Sequence, residues 1–219
     1  MTNILGIFAK LPRPCQVKTR LAAATSPAFA ARVADAMLGD TLDRMAAIDA
    51  ERWLVFAPHD AAAAMTELAR GRYQLTPQGD GDLGQRLERF FQQRIRHEPE
   101  RVVVIGADSP TLPVEFVARA FDQLQTSDLV LGPATDGGYY LIGCARRLPP
   151  IFAGIDWGGA TVLRDTIARL DTTALLALLP PWYDVDTLDD WRMLQGHIAA
   201  LRRAGHDPGV PHTEQLAEA

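Results

Sequence analysis

Cysteine is almost absent from this chain of 219 residues: Cys15 and Cys144 are the whole complement. Two distant thiols cannot supply a disulfide framework, and they lack the paired spacing of a structural zinc site. Positive charge is also in deficit, with 22 Lys and Arg against 27 Asp and Glu and a net charge of -5. That balance argues against a nucleic-acid partner, which would call for a basic face, and favours a small molecule. Long apolar runs are missing as well. The first, Ile4 to Ala9, is too short for a signal-peptide core and is followed by Lys10 and Arg13, while Leu175 to Leu179 is far too short to span a bilayer. No membrane contact is expected, and a reducing cytoplasm is the expected compartment. With 47% hydrophobic and 22% charged residues, the composition suits one substantial core.

What is present is an alternation of strand and helix signals. Ile4 to Ala9 and Trp53 to Ala57 read as buried strands. Between them, Phe29, Val33, Met37, Leu38, Leu42, Met45 and Ile48 recur at helical spacing over residues 27–48, behind Ser26 as N-cap and Pro27 in the first turn. A helix from about Asp60 to Arg70, a short strand from Tyr73 to Thr76 and a helix from near Asp82 to Ile95 are expected next. A strand ending at Asp108 follows, then a helix from Pro113 to Leu124 and strand Leu129 to Leu131. The turn Asp136-Gly137-Gly138 leads back into strand Tyr139 to Gly143 as a hairpin. A helix from Ala160 to Leu170, a strand from Leu175 to Leu179 and a helix from Leu188 to Arg203 complete the pattern. The fold class is α/β: a three-layer α/β/α sandwich whose sheet is mostly parallel, with a small antiparallel insertion. One domain is expected over residues 1–204, with a loose tail over 205–219.

Five clusters fall at strand ends. The most informative is Val103-Val104-Ile105-Gly106-Ala107-Asp108-Ser109-Pro110, a β-branched run that delivers one carboxylate to the ligand-binding edge of an open sheet. Asp108 is therefore a candidate ligand for a hard divalent cation, although an acid capping the helix after Pro113 reads the same way. The loop from Ala9 to Leu21 holds Lys10, Arg13, Lys18 and Arg20 and could clamp a polyphosphate; it contains neither the P-loop lysine motif nor the dinucleotide glycine fingerprint. Gln78 to Leu87 is glycine-rich and opens a helix, so its backbone could lie against a base or sugar, or simply turn. Thr135-Asp136-Gly137-Gly138 permits a tight turn that presents an acid. Tyr183 to Asp190 offers Asp186, either as a second oxygen ligand for Mg2+ or Mn2+ or as a helix cap answered by Asp189. Trp157-Gly158-Gly159 is either a loop over the pocket or a turn. Cys15 and Cys144 are expected to be free thiols without a catalytic part.

Taken together and in this order, the five clusters resemble the bacterial glycosyltransferase-A-like family associated with arsenosugar biosynthesis, over roughly residues 3 to 195. More distantly they are similar to molybdopterin-type and phospholactate-type nucleotidyltransferases. The resemblance implies a nucleotide-diphospho-sugar transferase (GT-A) fold. It implies a nucleotide site built by Ala9, Lys10, Lys18, Arg20, Gln78, Asp82 and Gly84, with Gln78 and Gly84 facing the base and the cations meeting phosphates. It implies a Mg2+ or Mn2+ ion on Asp108, with Asp136 and Asp186 at the sugar or metal. Cys15 stands where the family pattern has glycine. The expected activity is metal-dependent glycosyl transfer from a nucleotide-diphosphate sugar to an unidentified small acceptor, with Asp136, Lys18 and Arg20 as the catalytic group. The alternative is nucleotidyl transfer from a nucleoside triphosphate with release of pyrophosphate. No oligomeric state can be read from the sequence.

Overall fold

The computed structural model describes residues 2–95 and 100–217. Seven strands form one sheet: β1 (Thr2–Lys10), β2 (Glu51–Ala57), β3 (Gln74–Pro77), β4 (Glu100–Gly106), β5 (Leu129–Pro133), β6 (Tyr139–Ala145) and β7 (Leu176–Leu178), in the order β3-β2-β1-β4-β6-β5-β7. β1 runs parallel to β2 and β4, β2 parallel to β3, and β5 parallel to β7. β6 is antiparallel to both β4 and β5. The antiparallel element is thus a strand wedged into the sheet rather than an appendage. Because β6 reverses and β5 reverses again, the carboxyl ends of β1, β4 and β5 share one edge.

Alternate residues of each strand feed opposite layers. Val103 and Ile105 face a core with Leu38 and Leu42 of α2 (Pro27–Met45), Met65 of α3 (Ala62–Ala69) and Phe121 of α5 (Val114–Gln123). Val102 and Val104 face Leu87, Phe90 and Phe91 of α4 (Leu83–Arg94), with Leu163 of α6 (Val162–Ala168) packed alongside. The result is the expected three-layer sandwich. A third cluster joins Leu21 of α1 (Thr19–Ala24), Val33 and Met37 of α2, and Trp191, Leu194 and Ile198 of α7 (Leu188–Arg203).

Local chemistry sets the helix starts. Ser26 Oγ accepts from Phe29 N at 3.1 Å, with Pro27 in the first turn of α2. Asp82 and Gln85 form a reciprocal capping box on α4. At α7 the box is Thr187 with Asp190, not Asp186 with Asp189, so Asp186 is released from capping. Similarly, Pro113 precedes α5 with no side-chain cap, which frees Asp108.

Two segments differ from the sequence-based reading. α1 begins at Thr19, so the last residues of the expected Ala9 to Leu21 loop are helical. The tail beyond Gly205 is not loose: Pro211–Ala217 forms α8, and Val210 and Thr213 are fully buried. The buried Asp40 carboxylate accepts the amides of His212 at 3.0 Å and Thr213 at 2.8 Å, and Arg44 donates to the Pro208 carbonyl at 2.7 Å. These contacts secure the segment to α2.

Candidate active site

The shared strand edge opens into a cleft of about 720 Å3 lined by Phe8, Ala9 and Lys10 at the end of β1, Gln16 to Arg20, Gln78, Gly81 to Leu83, Arg86, Ala107, Asp108, Trp157, Gly158 and Asp186. The loop after β1 is bent by two residues in the left-handed region, Cys15 at φ 64° and Lys18 at φ 46°. Glycine reaches that region without cost, so Cys15 fills a glycine-type conformation at the position where the resemblance leads one to expect glycine. Val17 beside it is buried and anchors the loop. The unusual backbone at Lys18, which precedes the first residue of α1, aims its side chain inward.

That side chain is almost wholly buried and bridges two acids. Lys18 Nζ pairs with Asp108 and lies 2.8 Å from Asp186 Oδ1. Burial alone would pull the lysine down, but the two carboxylates outweigh it and hold its pKa above the ordinary value. The acids meet because Val185 N donates to the Asp108 carbonyl at 2.9 Å, stitching the segment before α7 to the end of β4. Val185 points into the core, and Asp184 and Asp186 flank it at the edge. Asp184 is pushed up to about 6, first by burial and then by the charges of Asp136, Asp186 and Asp108. Two carboxylates thus share one buried ammonium, and Asp184 and Asp136 add negative charge nearby.

Of the four loop cations, Lys10, Lys18 and Arg20 line the cleft, whereas Arg13 turns away to pair with Asp60 at 3.2 Å. Ala9, Gln78 and Asp82 also line it, whereas Gly84 does not. The Gln78 amide donates to the carbonyls of Ala9 and Val55 and its oxygen accepts from Arg86, so its side chain braces the cleft wall. Gly84 lies behind the wall: a Cβ there would stand 2.5 Å from Trp157 Nε1 and 2.8 Å from the Phe152 carbonyl. Its lack of a side chain lets the Trp157 indole settle over α4 and line the cleft. Asp136 does not line the cleft; its Oδ1 accepts from Gly138 N at 2.8 Å, and it sits close enough to Asp184 to perturb it. Sequence reasoning missed Arg86 and Asp184. Arg86 lies one turn into a capped helix and Asp184 beside a recognised acid, so proximity to a motif was the signal available. Both thiols are free, Cys15 exposed and Cys144 buried with its pKa pushed up by burial.

Among the described residues no three His, Cys, Asp or Glu side chains converge as a ready-made metal site. A two-carboxylate site is nevertheless sound chemistry for a hard cation. Mg2+ and Mn2+ commonly take one or two carboxylates and complete their shell with water and substrate phosphates. Asp108 and Asp186 supply adjacent oxygens that already share one cation, the Lys18 ammonium, so the donor set fits. Among the described residues no helix is long and apolar enough to cross a membrane.

A family profile described as "Uncharacterized protein conserved in bacteria (DUF2064)" matches residues 41–159. Among solved structures, a protein of Desulfovibrio desulfuricans G20 provisionally named a nucleotide-diphospho-sugar transferase is 30% identical, with a TM-score of 0.87 over 100% of this chain and 98% of that one. Rv0371c of Mycobacterium tuberculosis H37Rv, crystallised with manganese, is 21% identical, with a TM-score of 0.53 over 88% of this chain and 98% of that one. The 4-diphosphocytidyl-2C-methyl-D-erythritol synthase of Anaerococcus prevotii DSM 20548 is 13% identical, with a TM-score of 0.58 over 90% of this chain and 96% of that one. The last two share the fold. No curated protein sequence matches the chain.

Proposed function

The chain belongs to the family described as "Uncharacterized protein conserved in bacteria (DUF2064)", and from that membership and the cleft geometry we propose a transferase that takes a nucleotide-diphosphate sugar as donor. One observation carries the reading: Asp108 and Asp186, from distant parts of the chain, converge on Lys18 at the cleft's inner edge. The provisional name of the 30% identical Desulfovibrio protein supports it.

In this reading the nucleotide lies along the cleft with Trp157 and Leu83 at its far wall. Lys10, Arg20 and Arg86 hold the diphosphate, arginine contributing its forked donors. Asp108 and Asp186 would hold Mg2+ or Mn2+, the manganese complex of Rv0371c being a fold-level precedent. When bound, that ion supplies neutralisation of the charge that grows on the leaving diphosphate. Lys18 keeps the two carboxylates together and offsets part of their charge before the donor arrives. Asp136, at the end of β5 on the same edge, orients the acceptor hydroxyl and takes its proton. The acceptor oxygen bonds to the anomeric carbon as the bond from that carbon to the phosphate oxygen breaks, and its electron pair leaves with the nucleoside diphosphate.

Four cations along one cleft also carry enough charge for a triphosphate, and the synthase of Anaerococcus prevotii shares the fold. In that second reading an acceptor phosphate attacks the α-phosphorus and pyrophosphate leaves. Thermal shift with nucleotide sugars and nucleoside triphosphates, each with and without manganese, followed by product analysis, tests both. Stabilisation by a nucleotide sugar with slow release of nucleoside diphosphate is expected. Pyrophosphate as the sole product would assign nucleotidyl transfer instead, and no stabilisation by any nucleotide would overturn the transferase reading.

A further inference from the structure

Beyond β5 the same edge carries a second concavity of about 530 Å3, bounded by Thr135, Pro181, Trp182, Tyr183, Met193 and His197. Trp182 is held rigidly. Phe116 meets it edge-on at 5.6 Å between ring centroids, Tyr183 stacks on it at 5.6 Å and His197 tilts against it at 5.8 Å. The Tyr183 hydroxyl bridges Thr111 Oγ1 at 2.8 Å and His197 Nδ1 at 2.7 Å. Whichever way the tyrosine proton points, Nδ1 is engaged and Nε2 is the imidazole nitrogen left for a ligand.

Met193 and His197 are four residues apart on α7 and therefore share a face. Met193 is 49% exposed, an adaptable thioether beside the packed indole. No lysine, arginine or carboxylate lines this groove, in contrast to the phosphate cleft. A charged ligand would find no partner there, whereas a flat apolar ring would find rigid aromatic walls and one imidazole. The backbone places the groove beside the reacting edge: Thr135 N donates to the Trp182 carbonyl at 3.1 Å, and Asp136 is the next residue.

We propose that this groove is the acceptor subsite, and that it takes an uncharged, hydroxyl-bearing molecule whose ring lies against Trp182 and Met193 with a polar group bonded to His197 Nε2. It rests on the transferase reading and narrows the acceptor class. The test is titration of the full chain with 2-naphthol, read by saturation-transfer NMR, for the wild type and for Met193→Asp, an exposed position whose unfolding temperature reports whether the fold is kept. Wild-type binding that weakens on the order of tenfold or more in the variant is expected, because the new carboxylate would have to be desolvated under the ring. Equal binding by both proteins, or none by the wild type, overturns the subsite. Tighter binding of 2-naphthyl phosphate that is lost in Met193→Asp overturns the uncharged class. Donor stabilisation is measured in parallel on the wild type: if it is present while naphthol binding ignores Met193, only the subsite fails; if no nucleotide stabilises the protein, the underlying reading fails and the acceptor assignment with it.

Discussion

Lys18 Nζ and Asp186 Oδ1, 168 residues apart in the chain, stand 2.8 Å apart at the inner edge of the cleft, with Asp108 on the same ammonium. The lysine is buried while both acids remain about half exposed, so the cation cannot leave without uncovering two neighbouring negative charges. In the proposed reading, lysine and a divalent ion would compete for the same oxygens. Lys18→Met is expected to lose about 1–2 kcal/mol of stability in metal-free buffer, less than a fully buried pair would cost because water screens the acids. Manganese should then raise the melting temperature of the variant more than that of the wild type. Equal manganese shifts, measured by calorimetric scanning, would show that Lys18 does not contend for the metal position.

Gly84 sets the position of the cleft's aromatic wall. A methyl group there meets the Trp157 indole and the Phe152 carbonyl at once, and the carbonyl cannot step aside as a flexible side chain could. Gly84→Ala should therefore cost about 1–3 kcal/mol by overpacking and push Trp157 out of the cleft. Nucleotide affinity should fall with it. Unchanged melting temperature and unchanged nucleotide titrations would remove Trp157 from the binding wall.

The sheet and its principal helices were legible because their signals are local. α7 runs over Leu188–Arg203 as its periodicity indicates, and Ser26-Pro27 starts α2 as those residue types suggest. Caps were harder. Asp186 and Thr187 are both good N-cap residues, and only the backbone decides that Thr187 takes the role and Asp186 faces the site. α1 is six residues long and hidden among prolines and cations, while α8 depends on Asp40 and Arg44, more than 160 residues earlier in the chain. The convergence of Asp108 and Asp186 on Lys18 joins three segments with the help of a backbone bond from Val185 to Asp108, which no motif encodes. Gln78 and Gly84 were legible as important positions but not as a brace and a clearance.

Asp40 tests how firmly α8 is held. Its carboxylate is fully buried and accepts two amides at the helix start, so Asp40→Ala leaves two donors without partners and should cost about 1–3 kcal/mol. Burial raises the Asp40 carboxyl above its ordinary value despite those bonds. A raised acid binds its proton more tightly in the folded state, so its contribution is greatest below the unfolded value and declines as pH rises. The deficit of the variant should accordingly narrow as pH rises above the ordinary carboxyl range. Urea unfolding at several pH values reads this directly, and a deficit that widened toward neutral pH would contradict the assignment.

Asp136 is where the proposed glycosyl transfer can be tested most directly. Its Oδ1 accepts from Gly138 N at 2.8 Å and thereby holds the turn, and the amide oxygen of asparagine can accept the same bond. Asp136→Asn should therefore preserve the fold, and because Asp136 does not line the cleft, donor binding should persist. What the substitution removes is the charge and the proton acceptor. If Asp136 takes the proton of the acceptor hydroxyl, turnover should fall on the order of 100-fold or more with little change in donor affinity, since the loss falls on the chemical step. The two quantities separate in one experiment: calorimetric titration of the nucleotide sugar with manganese, and release of nucleoside diphosphate over time. Turnover within about threefold of the wild type would assign Asp136 to the turn alone and leave Asp184, the neighbouring acid whose carboxyl is pushed up to about 6, as the group to test next.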